Sequence, residues 1–334
     1  MSLPSLSLMA DETAEAPRAV ARALRENTSQ LKAVAKLLDE INPSHILTCA
    51  RGSSDHAASY FKYLSEIVMG VPCCSIGASV ASVYEAKLKL RDTVLLTISQ
   101  SGRSPDILAM QSFAKASGTP TIAITNDPKS PLAMQTDFCL SLHAGPEHSV
   151  AATKTFISSA ALAASIVALG SGNHQLKTAL DALPDALELS LEFRDQEFEQ
   201  VLANATSAFV IGRGPSMAVA FEAALKLKET CGIHAEGYSA AELLHGPMEI
   251  VDRAFPVIVF GGSGAAAQRI EETASKLSAA GAKVVSQNYS PTLHEHLDPL
   301  AMIQNFYVSI ERVSRARGRN PDKPRLLSKV TSTI

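Results

Sequence analysis

The sequence predicts an α/β fold in which parallel sheets are covered by helices on both faces. Short apolar runs rich in β-branched residues alternate with helical patterns. In the first half of the chain these runs occupy residues 44–50, 71–77, 93–99, 119–125 and 137–142. Near-continuous apolar strands separated by helices are typical of a buried parallel sheet. We therefore expect a five-stranded parallel sheet in this half.

The second half of the chain repeats the first at one fixed offset. Arg51-Gly52 recurs as Arg213-Gly214, which lies 162 residues on (213 − 51). The same shift carries Ser101-Gly102 onto Ser263-Gly264 and the strand at 122–124 onto 284–286. A gapless offset that aligns three strand ends predicts an internal duplication, so we expect two tandem domains with the same five-stranded sheet.

The repeat sets the expected domain boundaries. The first domain is predicted over residues 44–185 and the second over 200–334, with an acidic helix over 183–200 bridging them. Residues 1–43 are expected to form a helical arm with one helix from about Pro17 to Ile41, because proline suits the first turn of a helix.

Composition excludes several classes of function. A net charge of −3 gives no general attraction to nucleic acid or to an anionic membrane. The five cysteines show no zinc-binding spacing, and an odd count without a secretion signal indicates a reducing compartment. No apolar run is long and uninterrupted enough to span a bilayer. We expect a cytoplasmic protein with neither a membrane nor a nucleic-acid partner.

Hydroxyl and amide side chains follow two neighbouring strands of the first predicted sheet. The loop after residues 44–50 carries Gly52, Ser53 and Ser54, and the loop after 93–98 carries Ser99, Gln100, Ser101 and Ser104. Ligands of parallel sheets bind beyond the carboxyl ends of the strands, and helix-start N–H groups with added hydroxyl donors bind phosphate. The alternative is that these serines cap helices. Two such loops on neighbouring strand ends favour phosphate.

The second copy has lost most of these donors. At the equivalent of the second loop it reads FGGSGAAA (260–267). The sequence therefore predicts one phosphate site in the first copy and a different task for the second.

Acid–base residues occur in the second copy. Lys226 and Glu229 lie three residues apart in LKLKET, which places them on one face of a helix. A carboxylate can move a proton next to a carbonyl or imine, and a lysine can keep that carboxylate ionised. An ion pair on an exposed helix is the alternative, and spacing alone favours it. His245 in ELLHGP could shuttle a proton near neutral pH, or could cap the element that it ends.

Several longer motifs resemble the sugar isomerase (SIS) family. They are the loop SQSGRS (99–104), EHSVAATKTF (147–156), the segment FEAALKLKETCGIHAEGYSAAELLHGPMEIVD (221–252), the tail DKPRLLSKVT (322–331) and M-x-x-E-x-x-E-x-P at 9–17. Within that family the chain resembles the isomerase half of glucosamine-6-phosphate synthase and the SIS-type glucosamine-6-phosphate deaminases. The resemblance covers nearly the whole chain and implies two tandem SIS domains.

The resemblance also implies an activity. The 334 residues leave no length for the glutaminase domain that supplies ammonia to the synthase. We therefore expect the deaminase reaction, in which glucosamine 6-phosphate gives fructose 6-phosphate and ammonia. The alternatives within the family are a fructosamine-6-phosphate deglycase and an aldose–ketose phosphosugar isomerase. A non-catalytic phosphosugar sensor is the alternative from another class.

Residue roles follow from the same resemblance. Glu229 is expected to be the base for isomerisation, and His245 to open the sugar ring in the site of a neighbouring subunit, which implies a homodimer. Lys329 matches the tail lysine that forms an imine with the keto sugar. Gly52, Ala151 and Thr153 are expected to contact the sugar, and the last two to do so through backbone groups. The implied reaction needs neither a metal nor an organic cofactor.

Overall fold

The computed structural model describes residues 7–287 and 292–329, and the chain divides into two compact units. The first unit comprises Arg18–Glu147 and Lys154–Pro184. The second comprises the chain up to Pro17, His148–Thr153 and Asp185–Lys329. The two units contain one parallel sheet each.

The first unit is built on a five-stranded parallel sheet with the order β2-β1-β3-β4-β5. Its strands are β1 (His45–Cys49), β2 (Cys73–Ser75), β3 (Thr93–Ile98), β4 (Thr121–Thr125) and β5 (Phe138–Ser141). The helices up to residue 190 are α1 (Leu8–Glu26), α2 (Thr28–Ile41), α3 (Ser53–Leu64), α4 (Ser79–Ser82), α5 (Pro105–Ala116), α6 (Pro131–Gln135), α7 (Lys154–Gly170) and α8 (His174–Ser190). All five strands predicted from apolar runs are confirmed.

The second unit contains a parallel sheet with the order β7-β6-β8-β9. Its strands are β6 (Ser207–Gly212), β7 (His234–Ser239), β8 (Pro256–Phe260) and β9 (Lys283–Gln287). Its helices are α9 (Gln196–Ala203), α10 (Pro215–Lys226), α11 (Ala267–Ala279) and α12 (Asp298–Ala316), and two 3₁₀ turns lie at Glu242–His245 and Pro247–Ile250.

The predicted duplication is confirmed in backbone detail. Helices α3 and α10 begin and end 162 residues apart (215 − 53 and 226 − 64). Each continues into a five-residue π-helical turn, Ser65–Met69 in the first copy and Leu227–Cys231 in the second. The equivalent glycines that precede these helices have nearly the same dihedral angles, φ 55° and ψ −133° at Gly52 and φ 63° and ψ −135° at Gly214.

The second sheet differs from the predicted five strands, since it has four within the described residues. The offset of 162 places the counterpart of β5 at residues 300–303, and these residues lie in the first half of α12. Pro299 stands in the first turn of this helix, where its fixed φ favours helix and its missing N–H costs nothing. The duplicated pattern therefore ends at β9 in the sheet.

The predicted N-terminal helix is wrong in its bounds. Helix α1 begins at Leu8 and continues through Pro17, and Asn27 separates it from α2. Proline inside a helix leaves the carbonyl four residues earlier without its usual donor. Here that carbonyl belongs to Thr13, and the side-chain amide of Gln304 donates to it at 2.8 Å. A partner from α12 thus allows α1 to pass its proline.

The acidic segment 183–200 is also not the single helix that was expected. Helix α8 runs to Ser190, and α9 begins at Gln196 after an N-cap. The cap is Asp195, whose carboxylate accepts the N–H of Phe198 at 2.9 Å. A side chain that satisfies a free helical N–H marks a helix start, so the break has a local cause.

Helix α7 is the most buried helix of the first unit. Every residue from Lys154 to Ala168 is buried, as expected for the apolar run over 161–170. None of the helices in residues 7–287 and 292–329 combines the length and the apolar character that a membrane span requires.

Candidate active site

An ion pair joins the two hydroxyl-bearing loops of the first unit. Strands β1 and β3 pair in parallel, so the loops that leave their carboxyl ends are neighbours. Arg51 in the β1–α3 loop contacts the carboxylate of Asp106 in the first turn of α5, through both Nε and Nη2. Asp106 is 1% exposed, and it also accepts the N–H of Ile107. The pair fixes the two loops against each other.

Both loops turn at a glycine with positive φ. Gly52 and Gly102 have φ of 55° and 61°, a region that favours glycine. A side chain at Gly102 would overlap Ser130 and Thr125 on the next loop. The hydroxyl of Ser99 accepts the N–H of Gly102 at 3.2 Å and so holds the turn. The helix-start N–H groups of α3 and α5 can therefore be approached closely.

Three of the hydroxyl and amide side chains on these loops are uncommitted. Ser104 is the N-cap residue of α5, but its side chain makes no capping hydrogen bond. Among the described residues, the side chains of Ser54, Gln100 and Ser104 have no hydrogen-bond partner. Ser101 only accepts the N–H of Arg103, at 3.4 Å. Helix capping therefore does not account for Ser104, and these donors remain available for an anion.

The guanidinium of Arg103 is bonded to a different loop from the one that carries it. Its guanidinium donates to Asp127 of the β4–α6 loop at 2.7 Å. The N–H of Lys129 and the guanidinium of Arg103 lower the pKa of Asp127. Arg103 thus ties two loops of the first unit together.

The equivalent loop of the second unit is occupied by carboxylates. The hydroxyl of Ser263, the counterpart of Ser101, donates to Asp298 at 2.8 Å, and Asp298 is fully buried. The N–H of Ala265, the counterpart of Arg103, donates to Glu295 at 3.4 Å. The hydroxyl and N–H groups of this loop therefore have acidic partners in the second unit. The negative charge of these carboxylates disfavours binding of an anion to the loop.

A buried lysine lies between two carboxylates in the second unit. Lys226, the last residue of α10, is 1% exposed. Its ammonium group is 3.4 Å from Glu222 and directly contacts Glu229. Glu222 is fully buried and accepts a hydrogen bond of 3.1 Å from the hydroxyl of Tyr307. Burial lowers the pKa of Lys226, but the carboxylates of Glu222 and Glu229 outweigh it, so the pKa is raised and the lysine stays charged.

Glu229 is the carboxylate of this group that solvent can reach. Its side chain is 17% exposed, whereas Glu222 and Lys226 are at most 1% exposed. The π-helical turn after Lys226 carries Glu229 at its centre. The expected alternative, an ion pair on an exposed helix, does not describe this arrangement because the cation is buried.

Helix α12 holds the turn that carries Glu229. The hydroxyl of Ser314 donates to the carbonyl of Thr230 at 2.8 Å. The guanidinium of Arg317 donates to the carbonyl of Cys231 at 2.9 Å. Carbonyls at a helix end lack intrahelical partners, so these contacts satisfy them and fix the turn.

His245 is an exposed residue at the end of the 3₁₀ turn Glu242–His245. Leu244 in this turn and Ile250 in the following turn are also exposed, at 36% and 61%. In the part of the chain that the structure describes, no hydrogen bond or ion pair joins His245 to Glu242 or to Glu229. Glu242 therefore does not orient the imidazole of His245.

The structure brings Lys329 to the segment that was predicted to contact the sugar. Its ammonium group donates to the carbonyl of Ser149 at 2.7 Å. Ala151 and Thr153, in the same segment, are fully buried. Since both side chains are buried, sugar contacts of these two residues would be made by their backbone groups.

Three residues of the candidate site did not emerge from the sequence. Arg51 and Asp106 pair across loops that are 55 residues apart, and no local signal reports such a pair. Glu222 could have been found, because it precedes Lys226 by one helical turn. In residues 7–287 and 292–329, no group of three or more His, Cys, Asp or Glu residues is arranged to hold a metal ion.

Comparison with known proteins identifies relatives across most of the chain. The SIS domain family model matches residues 41–169 and 201–286. A glutamine–fructose-6-phosphate aminotransferase (isomerizing) from Thermococcus kodakarensis is 31% identical over 346 residues, which covers 96% of this chain and 57% of the relative. The chain thus spans little more than half the length of that relative.

Two solved structures place the fold among phosphosugar enzymes. A candidate phosphosugar isomerase from Silicibacter pomeroyi is 41% identical, with a TM-score of 0.90 over 95% of this chain and 100% of that one. Glucosamine-6-phosphate deaminase from Thermotoga maritima has a TM-score of 0.74 over 94% of this chain and 100% of that one. The latter is 21% identical, so it supports the fold alone.

Proposed function

Because this chain belongs to the SIS domain family, we propose that it is a phosphosugar enzyme that converts glucosamine 6-phosphate to fructose 6-phosphate and ammonia. The observation that carries the proposal is the buried, charged Lys226 in contact with Glu229, the one carboxylate of its group that solvent reaches. A fixed carboxylate beside a buried cation suits the transfer of a proton next to a carbonyl or imine.

The first unit binds the phosphoryl group. Its donors are the hydroxyls of Ser53, Ser54, Ser101 and Ser104, the amide of Gln100 and the helix-start N–H groups of α3 and α5. Ser99 acts through the turn that it holds. Neutral donors of this kind bind an anion without a competing internal salt bridge. The pairing of Arg51 with Asp106 supports this role because it neutralises the buried carboxylate beside the loops.

Glu229 carries out the isomerisation. In the open-chain sugar it removes the proton from C2 and returns a proton to C1, so that the C1 aldehyde and C2 amine become a C1 alcohol and a C2 imine. Lys226 stabilises the negative charge that develops on the oxygen at C1. Water then adds to C2, the carbon–nitrogen bond breaks, and ammonia leaves with the ketone of fructose 6-phosphate.

His245 opens the ring and acts in the site of a second copy of the chain. It transfers a proton between O1 and the ring oxygen, which imidazole can do near neutral pH. Its exposed position, without a hydrogen bond to Glu242, and the exposed Leu244 and Ile250 in the same and the following turn support this assignment. Lys329 binds the sugar near C2, together with backbone groups at Ala151 and Thr153.

A panel of substrates tests the proposal. Purified protein is incubated with glucosamine 6-phosphate, with a fructosamine 6-phosphate adduct, and with glucose 6-phosphate, and ammonia and ketose phosphate are assayed. Release of both products from glucosamine 6-phosphate supports the deaminase. Turnover of the adduct alone identifies a deglycase, and conversion of the simple aldose alone identifies an aldose–ketose isomerase, which the 41% identical structure favours as second candidate.

The activity of Glu229→Gln tests the assigned base, and ligand binding without turnover would identify a sensor. We expect this variant to lose at least about a hundred-fold in kcat, because a general base contributes 10²–10⁴-fold. Glu236→Gln is the matched control, since Glu236 lies in the same unit and is exposed. Full activity in Glu229→Gln would contradict the assigned base. Ligand binding by the wild-type protein without turnover of any substrate in the panel would favour a phosphosugar sensor.

A further inference from the structure

A buried carboxylate on α1 binds the segment that precedes the predicted sugar contacts. Glu12 is 5% exposed and accepts the N–H groups of both His148 and Ser149. Its second oxygen also accepts the N–H of Ser149, at 3.2 Å. Hydrogen bonds from backbone N–H groups to a carboxylate are charge-assisted and stronger than those between neutral groups. Glu12 therefore fixes the direction of this short segment.

The C-terminal tail is attached to the same segment on its other side. The N–H of Val150 donates to the carbonyl of Asp322 at 3.1 Å, and Lys329 donates to the carbonyl of Ser149 at 2.7 Å. Three successive N–H groups, at residues 148–150, thus have acceptors from elsewhere in the second unit. Lys329 is bonded to the residue whose own N–H is held by Glu12.

Helix α1 and the tail are also joined directly. The carboxylate of Asp322 accepts the N–H groups of Leu8 and Met9 at 3.0 and 2.8 Å. These are unpaired donors at the start of α1, where the helix dipole favours a negative charge. The helix that carries Glu12, the segment 148–150 and the tail therefore form a closed circuit of hydrogen bonds.

We propose that Glu12 is a positioning residue, which through His148 and Ser149 fixes the ammonium group of Lys329 for the reaction. This inference rests on the proposed function, because it assigns Lys329 to the sugar. Displacement of a reacting group by a single ångström lowers a rate by about a hundred-fold, so a carboxylate without substrate contact can control turnover. Glu12 acts on turnover rather than on affinity, since the phosphoryl group binds to loops of the first unit.

Hydrogen exchange tests the contact without any assumption about the substrate. The variants are Glu12→Gln, Glu12→Asp and the control Asp11→Asn, which removes the same charge from an exposed neighbour on α1. In Glu12→Gln we expect the amides of His148 and Ser149 to exchange about ten-fold faster, because a charge-assisted hydrogen bond is lost. Asp11→Asn should leave them unchanged. Unchanged exchange in Glu12→Gln would overturn the proposal.

Kinetics on glucosamine 6-phosphate test the consequence. Rates are measured well below the lowest melting temperature of the set, so that all variants are equally folded. We expect Glu12→Gln to lower kcat about ten-fold with KM changed less than about two-fold, and Glu12→Asp to recover part of the loss. A rise in KM with unchanged kcat, or no change in either, would overturn the positioning role.

The two arms separate the inference from the proposed function. If the wild-type protein does not release ammonia from glucosamine 6-phosphate, the proposed function fails, and with it the role of Glu12 in that reaction. The hydrogen-exchange arm then still decides whether Glu12 holds the segment 148–150 in place.

Discussion

At the scale of single residues, the charge arrangement around Lys226 depends on burial that the sequence does not report. The spacing of Lys226 and Glu229 correctly placed them in contact. Spacing alone favoured a solvated pair, because the same pattern occurs on exposed helices. Burial of Lys226 is imposed by the packing of α10 and of α12, which supplies Tyr307 to Glu222. Such contacts arise between residues far apart in the chain.

Lys226→Met tests the importance of the buried cation. The variant leaves Glu222 and Glu229 without their cation, and an uncompensated buried charge costs about 3–5 kcal/mol in the free energy of unfolding. Urea unfolding at pH 7 measures this loss. Lys177→Met is the control, because it removes an exposed pair with Asp181 whose contribution is about 0–1 kcal/mol.

The loss of unfolding free energy in Lys226→Met should also depend on pH. Without the cation, burial would raise the pKa of Glu222, so this group becomes easier to protonate in the folded variant as pH falls. The difference in unfolding free energy between wild type and variant should therefore narrow between pH 7 and pH 5. A difference in unfolding free energy that widens over this range would contradict the loss of the cation beside the buried Glu222.

The buried thiol of Cys49 makes stability depend on alkaline pH. Burial raises its pKa from 9.0 to about 12. Above pH 9 the unfolded chain loses this proton while the folded chain keeps it, so stability falls as pH rises towards the folded pKa. Cys49→Ala has no thiol at this position, so its stability does not depend on this proton. The difference in unfolding free energy between wild type and variant should therefore shrink by about 1.4 kcal/mol per pH unit above pH 9.5. Cys74→Ala, at an exposed thiol, should show no such trend.

At the scale of elements, the strands of the first sheet were predicted well, whereas the helices expected over 17–41 and 183–200 were not. The strands follow from apolar runs with β-branched residues, which is a local signal. The course of α1 through Pro17 depends instead on Gln304, which lies 287 residues later (304 − 17). No rule based on neighbouring residues can include that donor, so the proline was interpreted as a helix start.

A double-mutant cycle tests the link between Pro17 and Gln304. Gln304→Leu leaves the carbonyl of Thr13 without a donor, which should cost about 1–3 kcal/mol. In a Pro17→Ala background the N–H of Ala can donate to that carbonyl. Gln304→Leu should then lower the unfolding free energy by less than it does with Pro17 in place, and the difference, which is the coupling energy, should be about 1 kcal/mol. Urea unfolding of the four proteins gives the coupling. Equal costs in both backgrounds would show that the two residues are independent.

At the scale of the whole molecule, the duplication was readable from sequence and its asymmetry only in part. The loss of hydroxyls after β8 indicated that the second copy had lost its phosphate site. The carboxylates of Asp298 and Glu295, which accept hydrogen bonds from the loop after β8, were not foreseen. They come from a segment that follows β9, where the repeat ends. The offset also failed for the fifth strand, where Pro299 begins a helix.

The asymmetry predicts the stoichiometry of binding. Equilibrium dialysis with glucosamine 6-phosphate, in the Glu229→Gln background so that the ligand is not turned over, should give one bound ligand per chain. Ser101→Ala should weaken binding about ten-fold, because a hydrogen bond to a charged group is lost. Its counterpart Ser263→Ala should leave affinity unchanged, since that hydroxyl is bonded to Asp298. Two ligands per chain, or equal effects of the two substitutions, would contradict the assignment of the site to the first copy.

The widened turn at the end of α10 has an equivalent with no acid at the position of Glu229. In the first copy the same turn places Ile67 where the second has Glu229 (229 − 162), and both end at a glycine with positive φ, Gly70 and Gly232. The irregular backbone therefore does not depend on the side chain that it displays. The fold forms this turn twice, with a different side chain at its centre each time. Other reactive side chains could therefore be introduced at this position without redesigning the helix.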